Sequence, residues 1–356
     1  MDMTARLARA SAPSKERKLR VYPRVLATAF FFAAIEGLIF HSALYSDMIE
    51  PASTAGFSEY RLRDEILRPK SGGKQVLAVG DSRMGFFPRI ANPMTPQTGC
   101  TFGSISVPGT SPRCWFYQLR YVDPTARRYA AVVIPSVDYD DQEPYPDARD
   151  SDLPYMLPRL ELKDLIEFPS SFHDGRLQRA AIRAILLKGY GYRRDFQELL
   201  PHPAERIEKV RTAKEGSAGW FYDYEVTDAR VTVEQCQSIE GSFLRDRPVD
   251  TGRGTAYFRY WYGRILDLYR GTQTKIVFFR LPRGPVSPPD YPPKRDSAIR
   301  QLSSKPDVVV LDEHLFGELE RPELFYDAMH MNREGTTRFT RMLAAEVARV
   351  LTPPTP

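Results

Sequence analysis

Apolar residues along this chain fall into three patterns. The first is one long run, residues 25–45, interrupted by Glu36 and His41. A run of that length fits a bilayer-spanning helix. The second is a set of short runs bounded by turn residues, at 76–79, 101–107, 130–135, 275–279 and 308–311. Short apolar runs with Gly, Pro, Ser or Asp at their ends predict buried strands of a parallel sheet. The third is helical periodicity, at 59–67, 115–122, 256–270, 295–302 and 333–351. Ser111 and Pro112 make a start signal for the second of these, and Asn332 is placed to cap the last. That last helix gathers Phe339, Met342, Leu343, Val347, Val350 and Leu351 on one face, which predicts docking on a sheet. Alternating strands and helices predict an α/β fold, three-layered and flavodoxin-like, with about five parallel strands.

The alternation breaks between residues 142 and 252, a stretch rich in Pro, Arg and aromatic residues with helical pieces near 160–168, 177–187 and 194–200. This reads as an insertion carrying a lid or a partner surface. Its clustered Arg and Tyr side chains suit a polar, sugar-like ligand, although a solvated helical face is the favoured reading. The predicted organisation is a basic tail (1–24), an anchor (25–45), a linker with a short helix (46–73) and a domain (74–356) interrupted by the insertion.

Charge changes the picture only at the N-terminus. The formal net charge is +5, and residues 1–24 hold seven basic and two acidic groups, which accounts for all of it. The remaining body is neutral, so bulk charge gives no support for nucleic-acid binding. A basic tail before an apolar span puts the tail in the cytoplasm and the body outside. An uncleaved anchor is favoured over a cleaved signal peptide, because the apolar part is long and no small-x-small site follows it. Glu36 within the span calls for a partner helix or a proton, unless a tilted anchor simply tolerates it. Of the three cysteines, Cys100 and Cys114 are spaced to close a short loop in an oxidising compartment; the alternative is that all three, Cys236 included, are small buried hydrophobes. No Cys/His spacing suggests zinc, and no other metal or cofactor is expected.

Candidate chemistry begins at Gly80-Asp81-Ser82-Arg83, where the first strand stops at a glycine and presents a serine. Chemistry in open α/β sheets sits outside the carboxyl ends of the strands, so Ser82 is a candidate nucleophile in need of a base. His41 lies in the apolar run, His173 and His202 in the insertion, and His314 just after the last strand. His330 follows Asp327 by three residues, ahead of the C-terminal helix, a spacing that lets both side chains face one spot. It is the expected base, with Asp327 its orienting carboxylate. Singly, each motif is more often turn and capping chemistry; the ordered pair is harder to obtain by accident. Gly85 comes one place too late for the Gly-x-Ser-x-Gly elbow of α/β-hydrolases.

Gly80-Asp81-Ser82, then Gly109 after the second strand, then Asp327-Ala328-Met329-His330 before the last helix resemble blocks I, II and V of the SGNH (GDSL-like) hydrolase superfamily. The resemblance covers residues 74–138 and 256–351. It implies Ser82 as nucleophile, His330 as base, Asp327 as its partner, and an oxyanion hole built from the backbone N–H groups of Ser82 and Gly109. One block departs: the family's Gly-x-Asn-Asp is replaced by Pro135-Ser136-Val137-Asp138. The resemblance leaves Ser136 as a substitute oxyanion donor, and losing one such donor costs about 10²–10³ in rate. A membrane-anchored chain of this kind is also similar to envelope proteins that act beside membrane-bound O-acyltransferases. That similarity implies an esterase or O-acyltransferase of the bacterial inner membrane, with a periplasmic or extracellular domain acting on acyl, in particular acetyl, esters of an envelope polysaccharide. The alternative, favoured by the missing asparagine, the long insertion and Glu36 in the span, is a non-catalytic partner of such an acyltransferase that binds glycan.

Overall fold

The computed structural model describes residues 15–69, 72–136, 151–214, 227–245, 252–287 and 297–352. The basic tail before residue 15, the loop carrying Asp138, and parts of the insertion and of the proline-rich loop after the fourth strand lie outside the described residues.

Five strands, β1 (Lys74–Ala78), β2 (Cys100–Ser104), β3 (Ala131–Ser136), β4 (Lys275–Arg280) and β5 (Val308–Val310), form one parallel sheet in the order β2-β1-β3-β4-β5. The expected strand count is met, and the order is that of flavodoxin-like sheets. Side chains alternate between two cores, as a sheet covered on both faces requires. Leu77, Val132, Ile134, Ile276 and Phe278 point to one core, and Val76, Ala78, Val133, Val277 and Phe279 to the other.

Ten of the helices carry the argument: α1 (Lys15–Ile35), α2 (Thr54–Leu67), α3 (Phe87–Ala91), α4 (Pro112–Val122), α5 (Gly175–Leu186), α6 (Pro203–Lys214), α7 (Val233–Arg245), α8 (Arg253–Leu268), α9 (Ala298–Leu302) and α10 (Arg333–Leu351). α4, α8 and α9 cover the first core, while α3 and α10 cover the second. α10 spans the residues its apolar face predicts, and Asn332 caps it by accepting the Gly335 N–H at 3.1 Å. Ser111 occupies the N-cap of α4, but its hydroxyl instead donates to Asp152 Oδ2 at 2.8 Å. Asp152 also takes the fully buried Arg113 guanidinium at 2.8 Å. Arg113 lies 3.7 Å over the ring of Phe172, so this pair fastens the insertion to the start of α4.

Two expected segments differ. The stretch read as a linker contains α2, which begins at Thr54, is capped by the Ser53 hydroxyl, and buries Tyr60 and Leu62. Its burial was hidden by polar residues that satisfy one another: Glu59 pairs with Arg63 and Arg159, and Glu65 with Arg68 and the Tyr129 hydroxyl. The helix expected at 160–168 is instead a capped 3-10 turn (Leu162–Asp164) followed by the short helix Glu167–Ser170. A reciprocal cap between Glu161 and Asp164 starts that turn, and the Arg120–Asp164 ion pair at 2.7 Å ties it to α4. Helices α6 and α7 were not expected. The insertion shares the main core through Phe168, Phe172, Leu177, Ala181 and Ile185.

The segment Pro23–Phe40 is long and apolar enough to cross a membrane, a test that a signal sequence also passes. It ends in a π-helical turn (Glu36–Phe40) in which Glu36 is 7 % exposed and Oε1 accepts the Gly189 N–H at 2.9 Å. A Cβ on Gly189 would sit 2.7 Å from Glu36 Oε2, so only glycine allows this approach. Glu36 thus finds its partner in the insertion. All three cysteines are free. Cys114 packs in the first core and Cys100 in the second, so the sheet separates them and no Cys100–Cys114 loop forms; these two are small buried hydrophobes, while Cys236 is half-buried.

The aromatic centre of the first core sets a stability test. Trp261 is 1 % exposed and packs 5.6 Å from Phe116 and 5.9 Å from Tyr117. Trp261→Ala is expected to cost about 3–5 kcal/mol, read from the urea midpoint of the detergent-solubilised protein.

Candidate active site

β1 delivers Ser82 through a turn that its glycine makes possible. Gly80 has φ +155°, and a Cβ there would meet Met84 Cγ at 2.7 Å and Pro135 Cγ at 3.2 Å. Asp81 caps the 3-10 turn Ser82–Met84 by accepting the Arg83 N–H at 3.0 Å, and its carboxylate also holds the Arg83 guanidinium at 2.8 Å. Asp81 and Arg83 therefore shape the turn, and Ser82 is left at its first position. The Gly80 carbonyl accepts both the Val107 N–H and the Thr110 hydroxyl at 3.1 Å. That ties the loop bearing Gly109 (φ +73°) to the serine turn.

The other half comes from the opposite end of the chain. Phe325 and Met331 form an antiparallel bridge, and the Tyr326 N–H donates to the His330 carbonyl at 3.1 Å, closing a tight loop. Asn332 fixes that loop to α10: its backbone N–H donates to Leu324 at 2.9 Å and its side-chain amide to Glu323 at 2.7 Å. Within the loop, Asp327 Oδ1 accepts the N–H groups of Met329 at 2.8 Å and His330 at 2.6 Å. Asp327 Oδ2 lies 2.8 Å from His330 Nδ1, and His330 Nε2 lies 2.8 Å from Ser82 Oγ. Tyr326 stacks on the imidazole, with centroids 5.7 Å apart and planes 13° apart.

Partial burial pushes the Asp327 pKa up, but the Met329 amide and the ring and amide of His330 outweigh it and hold it below 3.8. An ionised Asp327 can only accept, so His330 Nδ1 carries the proton and Nε2 accepts from the Ser82 hydroxyl. The three residues chosen from sequence, Ser82, His330 and Asp327, thus form a continuous hydrogen-bonded chain. Their order is nucleophile, base and orienting carboxylate, an arrangement suited to acyl transfer.

Ser136 is placed differently from a simple donor. It is the last residue of β3, 1 % exposed, and its hydroxyl oxygen accepts from the Tyr262 hydroxyl of α8 at 3.3 Å. A small cleft beside Ser82 is lined by Phe57, Arg61, Gly85, Phe86, Ser106 and Pro108. Arg61, 2 % exposed, donates from Nη2 to the Gly85 carbonyl at 3.3 Å, which braces the turn after the nucleophile. Sequence reasoning missed Phe57 and Arg61 because the helix expected at 59–67 was placed in a linker and began too late to include Phe57; their i, i+4 spacing just ahead of Gly-Asp-Ser was the available signal. Among the described residues no cluster of His, Cys, Asp and Glu is arranged to hold a metal ion. No protein-family model matches this chain, and no curated protein matches it at a significant level. The functional reading therefore rests on motif and geometry.

Replacing the orienting carboxylate separates two effects. Asp327→Asn would leave the loop amides an acceptor but favour the wrong imidazole tautomer, so kcat should fall by about 10³–10⁴ for any ester the protein cleaves. A lowered folded-state pKa contributes stability that is complete above 3.8 and is lost as pH falls through the folded value. Wild type and Asp327→Asn should therefore differ in unfolding midpoint at pH 7 and converge near the acid limit of that window, as measured by urea denaturation at both pH values.

Proposed function

We propose that this chain is a membrane-anchored SGNH-like serine esterase or O-acyltransferase acting on short acyl, in particular acetyl, esters of an envelope glycan. The observation that carries the reading is the chain Ser82 Oγ–His330 Nε2 and His330 Nδ1–Asp327 Oδ2, each link 2.8 Å, at the carboxyl edge of β1. Ser82 Oγ attacks the ester carbonyl carbon as His330 Nε2 takes its proton. The oxyanion faces the N–H groups of Ser82 and Gly109. Collapse expels the sugar oxygen, which takes the proton from His330, and leaves acyl-Ser82. Water or a second sugar hydroxyl, deprotonated by His330, then attacks the acyl carbon and frees Ser82. Hydrolysis and transfer differ only in that acceptor. The narrow cleft next to Ser82 supports a small acyl group.

A second reading, a non-catalytic glycan-binding partner of a membrane-bound O-acyltransferase, is favoured by Ser136. Where the family places an asparagine donor, this chain has a buried hydroxyl engaged with Tyr262.

The test is covalent. The full-length protein in detergent is expected to react with a fluorophosphonate probe and to hydrolyse p-nitrophenyl acetate. Ser82→Ala should lose the label and at least about 10³ of the rate. A folded wild-type protein that neither labels nor hydrolyses would reject the enzymatic reading in favour of the partner.

A further inference from the structure

Apart from the serine site, a groove of about 630 Å³ lies between the insertion and the first turn of α2. Its size is that of a small-molecule site, roughly 300–1,000 Å³. The floor is apolar, built from Leu153, Pro154, Leu157, Ala180 and Ala184. The rim is basic: Arg183 of α5 and Arg193 and Arg194 of the short helix Arg193–Leu199 line it, and all are exposed. Among the described residues none of the three makes an ion pair, whereas Arg63, Arg113, Arg120, Arg159 and Arg206 are all matched to carboxylates.

Two acidic residues also line the groove. Asp195 is committed to the Tyr45 hydroxyl, the Glu50 N–H and Arg206, and Glu198 is exposed. The balance at the rim stays positive. Tyr190 registers that field. Its ring lies 5.2 Å from the Arg183 guanidinium and 4.5 Å from that of Arg193, and a hydrogen bond from Arg183 pulls its hydroxyl pKa below 10.

The groove is also joined to the end of the apolar span. Tyr192, part of its lining, stacks with Phe40, the last residue of the span, at 6.4 Å, and Gly189 bonds Glu36 within it. Tyr190 of the lining, and Ile182 and Leu186 on α5 beside the lining residues Arg183 and Ala184, are exposed, which an interfacial position explains better than bulk water does. An occupant must therefore combine an anionic head with an apolar tail and lie at bilayer level.

We propose that this groove binds the phosphate headgroup of an anionic membrane phospholipid, with Arg183, Arg193 and Arg194 on the phosphate and the first acyl methylenes over the Leu153–Leu157 floor. Planar guanidinium groups match phosphate oxygens in pairs, and basic groups at a bilayer surface favour anionic lipid. The site is separate from Ser82 and does not depend on its chemistry; it rests on the membrane-anchored reading of Pro23–Phe40.

Calorimetric titration of the full-length protein in dodecyl maltoside with dihexanoyl phosphatidylglycerol should show saturable binding. That binding should be at least tenfold tighter than for dihexanoyl phosphatidylcholine and should weaken as salt rises. The triple variant Arg183→Ala, Arg193→Ala, Arg194→Ala should lose at least tenfold in affinity with an unchanged circular dichroism spectrum. Ala180→Phe, which fills the floor and leaves the charges, gives an independent loss should the triple variant misfold. Ser82→Ala should bind as wild type does, so failure here and failure of the esterase reading are separately visible. Equal affinity for both lipids, wild-type affinity in both groove variants, or a preference for farnesyl phosphate or inorganic phosphate over phosphatidylglycerol would each overturn the proposal.

Discussion

The Asp327 carboxylate is the interaction on which the site depends. It accepts three hydrogen bonds from residues two and three places ahead of it, so a loop of four residues fixes an imidazole without help from a distant carboxylate. Local fixation matters because Ser82 is 248 residues away in sequence. Two short, stiff turns must meet within hydrogen-bond reach, and each is stiffened within its own segment. The serine turn is held by the Asp81 cap and the Gly80 carbonyl, and the histidine turn by Asp327 and Asn332. The sheet then needs only to bring two rigid pieces together, which parallel strands sharing one carboxyl edge do without further invention.

The neighbouring elements follow from the strand order. Beyond the edge of β1 the chain runs one way to β2 and the other way to β3, and the crevice between these paths is where open sheets place ligands. Here α2 closes that crevice from outside, putting Phe57 and Arg61 against Ser82. The insertion in turn grips α2 through Arg159 on Glu59 and grips the apolar span through Gly189 on Glu36. Breaking a buried, hydrogen-bonded carboxylate contact of this kind is costly, because it strands a charge. The span, the insertion and the serine turn are therefore linked by a short series of paired polar groups set in apolar surroundings.

What the sequence made legible follows the same division. Strand runs such as Val76–Val79 and the face of α10 are covered by apolar neighbours, so periodicity alone located them. Ser82, Asp327 and His330 were legible because their partners are local or are set by strand order. The burial of helix α2 was not, although residues 59–67 read as helical, since its buried face is written in Glu59, Arg61 and Glu65, which read as solvent-facing until the distant Arg159 guanidinium and Tyr129 hydroxyl are seen to join the local partners Arg63 and Arg68. Those two distant groups lie far along the chain, and no short window of sequence contains them together with α2. Glu36 belongs to the same class: its partner is a backbone N–H at Gly189, which no side-chain pattern announces. The cysteine alternatives needed the sheet itself, because spacing cannot say that Cys100 and Cys114 face opposite cores.

The geometry of α2 also limits where a substrate can come from. Ser53, Thr54 and Ala55 at its start line the basic groove, and Arg61, six residues on from Ala55, lines the cleft at Ser82. At 1.5 Å per residue those positions are about 9 Å apart along the helix axis. One helix therefore runs from the basic groove to the cleft at Ser82. On the membrane-anchored reading, an ester must come within a few helical turns of the bilayer surface to meet Ser82. A polymer or carrier held at that surface satisfies this more readily than a solute diffusing freely, because tethering raises its effective concentration at the site. On the proposed reading, the single helix that joins groove to cleft, more than any one contact in the cleft, favours an ester held at the membrane.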